Sequence, residues 1–204
     1  MRLRFIAPLP KQKVYVALSG GVDSLSLAYF LSKTREVTCL HFDHQTPSAS
    51  MFKKHCIDFC NKNGLELIEG TLTREKEKIE SWEEFWRLQR YDFLNKFEGP
   101  VLTGHNLDDQ VETWIWSCLH GNPRLMPYKN KNILRPLIGC EKKDIVQYAR
   151  NQGIVWIEDP SNEDESYTRN FIRKNLVPNA LKVNPGLYKV IYKKMLKEGY
   201  IQND

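Results

Sequence analysis

Along the first two-thirds of the chain, short β-rich apolar runs alternate with longer stretches of helical spacing. Lys13–Leu18 alternates apolar and polar residues and predicts a strand, followed by a helix over Ser24–Thr34. Glu36–Phe42, Leu65–Glu69 and Pro100–Thr103 predict three further strands, and Ile133–Leu137 a fifth strand or an extended loop. Helices are predicted over Ser48–Asn63, Ser81–Phe97, Asp108–Leu119 and Lys142–Gln152, with Gly64 and Gly153 as stop signals. Phe85, Leu88, Phe93 and Leu94 are among the apolar positions of the third helix. Strands alternating with helices imply an α/β fold: a doubly wound, mostly parallel sheet with helices on both faces. After Trp156 the pattern changes to an acidic loop and then to helical segments over Asn170–Leu176 and Gly186–Glu198, a short helical annex. The expected organisation is a main domain over residues 1–157, with residues 158–204 as a loop and basic tail packed on it.

The length of 204 residues suits one domain with an appendage, and 41% hydrophobic and 27% charged residues suit a globular protein. Met1–Lys13 carries two arginines, but its apolar stretch is broken by Pro8 and Pro10 and does not read as a signal peptide. No apolar run approaches the roughly 18 residues of a membrane span, so no membrane partner and a cytoplasmic location are expected. Cys39, Cys56, Cys60, Cys118 and Cys140 are dispersed and form no C-x-x-C pair; free thiols are expected, with Cys56 and Cys60 on one helix face.

The net charge of +5 is modest, but its distribution is uneven. Ser166–Lys197 holds eight basic residues, including Arg169, Arg173, Lys189 and Lys193, and no acidic one. A tail of one sign suits an anionic macromolecule, and a solvated helix face is the plainer alternative.

Ser19-Gly20-Gly21-Val22-Asp23-Ser24 directly follows the first strand and opens a helix. Two glycines permit a tight turn and close approach to a ligand. The helix start presents unpaired N–H groups and a positive dipole end, both of which favour phosphate. Ser19 and Ser24 add hydroxyls, and Asp23 offers oxygen to magnesium. The Walker spacing is absent. In an open doubly wound sheet ligands bind at the carboxyl ends of the strands. Asp43-His44 and the run from Gly104 to Thr113 fall at such ends too. Asp108, Asp109 and Glu112 have spacings that let carboxylates share a helix face, where they could bind magnesium or an amine. The plainer alternative is that Asp109-x-x-Glu112 is a capping box.

The loop Ser19–Ser24 resembles that of the PP-loop ATP pyrophosphatases, which grip the pyrophosphate end of ATP with it. Taken with Gly104-His105-Asn106-Leu107-Asp108-Asp109-Gln110-Val111-Glu112-Thr113, Glu83-x-x-x-Arg87-x-x-Arg90-Tyr91, Arg135-Pro136-Leu137 and Asp159-Pro160-Ser161-Asn162 leading to Tyr167-x-Arg169-Asn170-x-Ile172-Arg173, the chain resembles the tRNA(Ile)-lysidine synthetases. The likeness runs from about Lys13 to Pro178. Asn106 stands where the family has a second histidine, Trp86 where it has a small residue, and Gln45-Thr46-Pro47 where it has glycine-leucine-arginine. Gly121-Asn122-Pro123-Arg124 replaces a glycine-rich loop, and the C-terminal tRNA-binding domains of longer members have no counterpart in these residues, so a short form is expected.

The resemblance implies an ATP-binding catalytic domain that adenylates the wobble cytidine of tRNA(Ile) with a CAU anticodon, then attaches L-lysine. ATP and magnesium would be held by Ser19, Gly20, Gly21, Val22, Asp23 and Ser24, with Asp23 and Asp109 as metal ligands. Asp108, Asp109 and Glu112 would hold magnesium or the lysine amine. His105 would contact the nucleotide or the reacting base, and Arg87 phosphate or substrate. Arg169, Asn170, Arg173, Lys189 and Lys193 would hold activated phosphate or RNA, and a homodimer would offer a second RNA surface. An RNA thiolase lacks its usual paired cysteines here. A small-molecule adenylating ligase and a non-catalytic nucleotide- or RNA-binding module stay open beside the lysidine reading.

Overall fold

The computed structural model describes Leu3 and residues 5–197. Strands β1 (Val14–Ala17), β2 (Val37–Asp43), β3 (Glu66–Thr71), β4 (Val101–Leu102), β5 (Lys129–Asn130) and β6 (Ile133–Leu134) form one sheet in the order β3-β2-β1-β4-β6-β5. All neighbours pair in parallel except β5 with β6. The chain leaves β1 towards β2 and β3, then returns to place β4 on the other side of β1. That reversal opens a crevice at the carboxyl ends of β1 and β4.

Alternation along β1 divides the core in two. Val14, Val16 and Leu18 face a cluster built with helices α1 (Val22–Ser32), α2 (Ala49–Asn63), α4 (Leu107–Leu119) and α5 (Lys142–Asn151). Tyr15 and Ala17 face the opposite way, onto Leu40, Val101, Ile133 and helix α3 (Trp82–Leu94). Both faces of the sheet are therefore covered, as parallel sheets require. Cys56 and Cys60 are buried together on the inner side of α2, against Cys39 of β2. Gly64 ends α2 in the left-handed conformation (φ 63°), and Ser81 starts α3 by accepting from Glu84 N at 3.1 Å.

Three local expectations are corrected. The stretch Ile133–Leu137 is a two-residue strand running into a 3-10 turn over Pro136–Gly139. The first tail helix is longer than expected: α6 (Thr168–Phe171) continues through a π-helical segment, Ile172–Leu176, into α7 (Val177–Val183). Pro178 has no N–H for an α-helical bond and crowds the carbonyl four residues back, a conflict that the wider π turn relieves. The apolar stripe Leu187, Val190, Ile191 and Met195 predicts an inward face for the second tail helix; helix α8 (Leu187–Lys197) buries Ile191 and Met195, but Val190 is 50% exposed. Glu198, the expected end of that helix, lies outside the described residues.

Candidate active site

The phosphate loop is shaped by its own side chains. Leu18 N donates to Leu40 O (2.8 Å), ending β1, and Gly20 then turns with φ 81°. A Cβ at Gly20 would be left-handed and 3.1 Å from the Phe52 ring, so glycine is required. Ser24 Oγ accepts from Ser19 N (3.1 Å), donates to Gly21 O (3.1 Å) and meets Ser19 Oγ at 3.0 Å. Ser24 is thus spent on holding the loop, while Ser19 stands at the exposed edge. Gly21 caps α1 and offers no side chain, so the first-turn amides of Val22, Asp23 and Ser24 have no capping oxygen. These amides suit phosphate oxygens.

Gly104, at the end of β4, presses against this loop. A Cβ there would lie 3.0 Å from Ser24 N and 3.1 Å from Asp23 Cβ. The contact brings Asn106 within reach of Asp23: Asn106 Nδ2 donates to Asp23 Oδ1 at 3.3 Å. Asn106 also caps α4. Its side chain accepts from Asp109 N (3.1 Å), and Asp109 Oδ2 accepts from Asn106 N (2.9 Å). The capping box is therefore Asn106 with Asp109, one turn earlier than the expected Asp109-x-x-Glu112. Asp23 is completed by Lys142, whose Nζ lies 2.6 Å from Oδ2. Burial raises the carboxyl pKa of Asp23, and Lys142 opposes that rise.

The three acidic residues of α4 do not act as one cluster. Asp108 turns away, accepting from Lys142 N (2.7 Å) and the Tyr188 hydroxyl (2.9 Å), and so anchors α5 and α8. Asp109 and Glu112 instead face the tail helix. Glu112, 3% exposed, accepts from Arg169 Nε at 2.8 Å and Arg173 Nε at 2.6 Å, and a terminal nitrogen of Arg169 reaches Asp109. Burial works to raise the Asp109 pKa, but Arg169, the Asn106 N–H and Arg173 outweigh it and hold the carboxyl below its ordinary value. Asn170 faces elsewhere: its amide donates to Ser161 O and Asp164 O, both at 2.8 Å, and pins the acidic loop. Lys189 and Lys193 are exposed on α8.

His105 sits beside Asp109 with Nδ1 2.8 Å from Thr103 Oγ1. Thr103 Oγ1 also lies 3.3 Å from Leu134 O, so the threonine fixes the ring's orientation and leaves Nε2 as the free nitrogen. Burial and the nearby guanidiniums lower the imidazole pKa and keep it neutral. Arg87, the expected contact, is exposed and lies over the Tyr91 ring at 5.2 Å. Arg90 is the inward residue. It occupies the stripe of Trp86, Gln89 and Phe93, and its Nε is buried with no partner. Trp86 Nε1, His44 Nδ1 and Arg135 Nε are also buried and unpaired, while Arg135 ties Pro127 O (2.8 Å) to the Tyr91 hydroxyl (3.3 Å). Among the described residues Arg90 pairs with no carboxylate, so this wall suits an anion or a ligand rich in acceptors.

The expected residues therefore sort by place. Ser19–Ser24, His105, Asp109, Glu112, Arg169 and Arg173 converge on the crevice; Asp108, Asn170 and Arg87 do not. Arg90, Thr103 and Lys142 are additions. The first was legible from helical spacing on α3, whereas Lys142 is 119 residues from Asp23 and gave no local signal. The donor set fits magnesium shared with phosphates, which takes one or two carboxylates besides phosphate and water. Asp23 supplies one carboxylate beside the uncapped amides, and no protein-only cage of three or more ligands occurs among the described residues.

A family model described as a PP-loop domain matches residues 2–180. The tRNA(Ile)-lysidine synthase of Methylococcus capsulatus is 33% identical over 186 residues, 83% of this chain and 42% of that protein. The synthase of Francisella philomiragia is 34% identical, covering 87% and 48%, and that of Staphylococcus aureus 32%, covering 84% and 46%. The chain thus spans less than half the length of these curated relatives. Among solved structures, a U34-tRNA thiolase from Methanococcus maripaludis superposes with a TM-score of 0.77 over 93% of this chain and 73% of that one, at 18% identity. An NMN synthetase from Francisella tularensis gives 0.54 over 91% and 86%, at 14% identity. These two likenesses concern the fold. No helix among the described residues is long and apolar enough to cross a membrane.

Proposed function

This chain belongs to the PP-loop domain family, and from that premise we propose that it is an ATP-dependent tRNA-modifying ligase forming lysidine at the wobble cytidine of tRNA(Ile). The observation that carries the reading is Asn106. One side chain bonds both Asp23 of the phosphate loop and Asp109 of the acidic pair, so the nucleotide end and the amine end share one crevice.

In the first half-reaction the cytidine C2 oxygen attacks the α-phosphate of ATP and pyrophosphate leaves. The first-turn amides of α1 receive the departing phosphates, and Ser19 adds a hydroxyl. Asp23 would hold magnesium, which when bound neutralises charge on the pyrophosphate. Arg90 and the other unpaired donors of the α3 wall contact the base or the α-phosphate. His105, held by Thr103 beside the acidic pair, presents Nε2 to the reacting base.

In the second half-reaction the lysine amine displaces AMP from C2. Asp109 and Glu112 bind the incoming ammonium and one of them takes the proton that the nitrogen loses before attack, with Glu112 too buried to be left unpaired. Arg169, whose side chain is 47% exposed, then turns from the carboxylates to the activated phosphate or the RNA backbone. Lys189 and Lys193 extend a positive surface for the tRNA, and the setting is cytoplasmic, where tRNA and lysine are available.

Adenylation is tested by AMP release from ATP in the presence of unmodified tRNA(Ile). AMP should form with the CAU anticodon, fail when the wobble base is uridine, and fall at least 100-fold in Asp23→Ala. AMP formation indifferent to the wobble base, or undiminished in Asp23→Ala, would overturn the assignment.

A further inference from the structure

Lys142 opens α5, and its ammonium reaches back to the phosphate loop, 2.6 Å from Asp23 Oδ2. Its backbone N–H is fixed by Asp108 Oδ2 at 2.7 Å, and Asp108 is in turn held by the Tyr188 hydroxyl at 2.9 Å. The stem is therefore anchored, while the side chain is 42% exposed and makes one charged contact. An ion pair this open contributes at most about 1 kcal/mol to folding, so stability does not account for its placement.

Two features of the loop say what else the ammonium could meet. Asp23 is more enclosed than its partner, 23% exposed, and in a confined site its negative charge needs a cation beside it. The same short loop leaves the first-turn amides of Val22, Asp23 and Ser24 without a capping oxygen, so an anion received there lies next to the Lys142 ammonium.

We infer that Lys142 is a positioning cation with two partners: it neutralises Asp23 in the free protein and moves onto the polyphosphate when a divalent cation takes over Asp23. The inference rests on the PP-loop nucleotide reading and adds a residue and an exchange to it. A four-carbon stem with a freely rotating ammonium suits such a transfer better than a rigid guanidinium fork. One ammonium exchanged for one divalent ion keeps Asp23 compensated throughout, and the freed ammonium adds one positive charge at the phosphates.

The test is calorimetric titration of the full chain with ATP and with inorganic pyrophosphate, each at several magnesium concentrations. Wild type, Lys142→Met and Lys142→Arg would be compared, with thermal melts of each. Lys142→Met should lower the melting temperature by only a few degrees, because Asp23 is open enough to take a proton or a solvent cation. It should bind both ligands about 10- to 100-fold more weakly, the scale of one charge-assisted hydrogen bond. Its ATP binding should also saturate at a lower magnesium concentration, because no ammonium competes for Asp23. Lys142→Arg should restore most of the affinity. Unchanged affinities in Lys142→Met, or a lowered melting temperature with unchanged affinities, would make the pair purely structural and overturn the inference while leaving the nucleotide reading intact. A wild-type chain that binds neither ATP nor pyrophosphate would overturn both.

Discussion

Arg169 Nε donates to Glu112 Oε2 at 2.8 Å, joining the tail helix to the core across 57 residues of sequence. Arg173 holds the other oxygen at 2.6 Å, and Glu112 is almost fully enclosed. Breaking a buried pair costs more than the pair contributes, because the stranded charge remains. Arg169→Ala and Arg173→Ala should each cost about 1–2 kcal/mol, since one guanidinium still covers the carboxylate. The double substitution should cost about 3–5 kcal/mol, more than the sum of the two singles. Urea unfolding of the four proteins measures this, and strict additivity would mean that the two arginines do not share Glu112.

The loop glycines separate shape from ligand space. A methyl at Gly104 would meet Ser24 N at 3.0 Å, so Gly104→Ala should cost about 1–3 kcal/mol and weaken nucleotide binding with it. Gly21 has φ −80° and ψ 160°, open to any residue, and a Cβ there would meet only Ser19 Oγ, at 3.6 Å. Gly21→Ala should therefore melt like wild type yet lose ATP affinity. Melting curves beside ATP titrations check both, and undiminished ATP affinity in Gly21→Ala would place the phosphates elsewhere.

His44 gives the fold an acid-sensitive point. Burial, with Arg90 nearby, pushes its imidazole down to about 4, so the folded chain holds it neutral. Between its unfolded pKa near 6.5 and the folded value, the unfolded state binds more protons, and stability falls as pH falls. By pH 5 the loss attributable to His44 should be roughly 2 kcal/mol. Denaturation midpoints at pH 7 and pH 5 test this: wild type should lose more stability than His44→Phe, and equal losses would contradict it.

RNA affinity should fall steeply with salt if the exposed lysines of α8 meet the backbone. Lys189→Ala with Lys193→Ala should weaken tRNA binding and flatten the log–log salt dependence by roughly 1.4–1.8, about 0.7–0.9 for each phosphate no longer neutralised. Filter binding from about 50 to 200 mM salt measures the slope. An unchanged slope would make α8 a solvated face.

What was legible in the sequence was local. The alternation in Val14–Ala17, the Gly20-Gly21 turn and the left-handed stop at Gly64 are dictated by neighbouring residues, so strand, loop and helix end could be read directly. Strand β4 falls within the predicted Pro100–Thr103 and β6 within Ile133–Leu137, whereas β5, two exposed polar residues, gives no pattern and only its pairing with β6 defines it. The π segment arises from a conflict between Pro178 and a helix that tertiary packing keeps going. Asn106 reads as a departure from the family histidine, which hides its role as the cap of α4. Which charge meets which was not legible: Asp108 with Asp109 and Glu112 reads as one acidic face, but helix phase and distant partners divide it between Tyr188 and Lys142 on one side and Arg169 and Arg173 on the other.

The central claim is tested most directly by counting radiolabelled lysine transferred to RNA by the purified chain with ATP, magnesium and unmodified tRNA(Ile) bearing a CAU anticodon. The account predicts one lysine per tRNA, lost when the wobble cytidine is replaced and reduced at least 100-fold in Glu112→Gln. AMP formation on this tRNA without incorporation of label would contradict lysine as the amine, and incorporation that survives replacement of the wobble cytidine would contradict the site of modification.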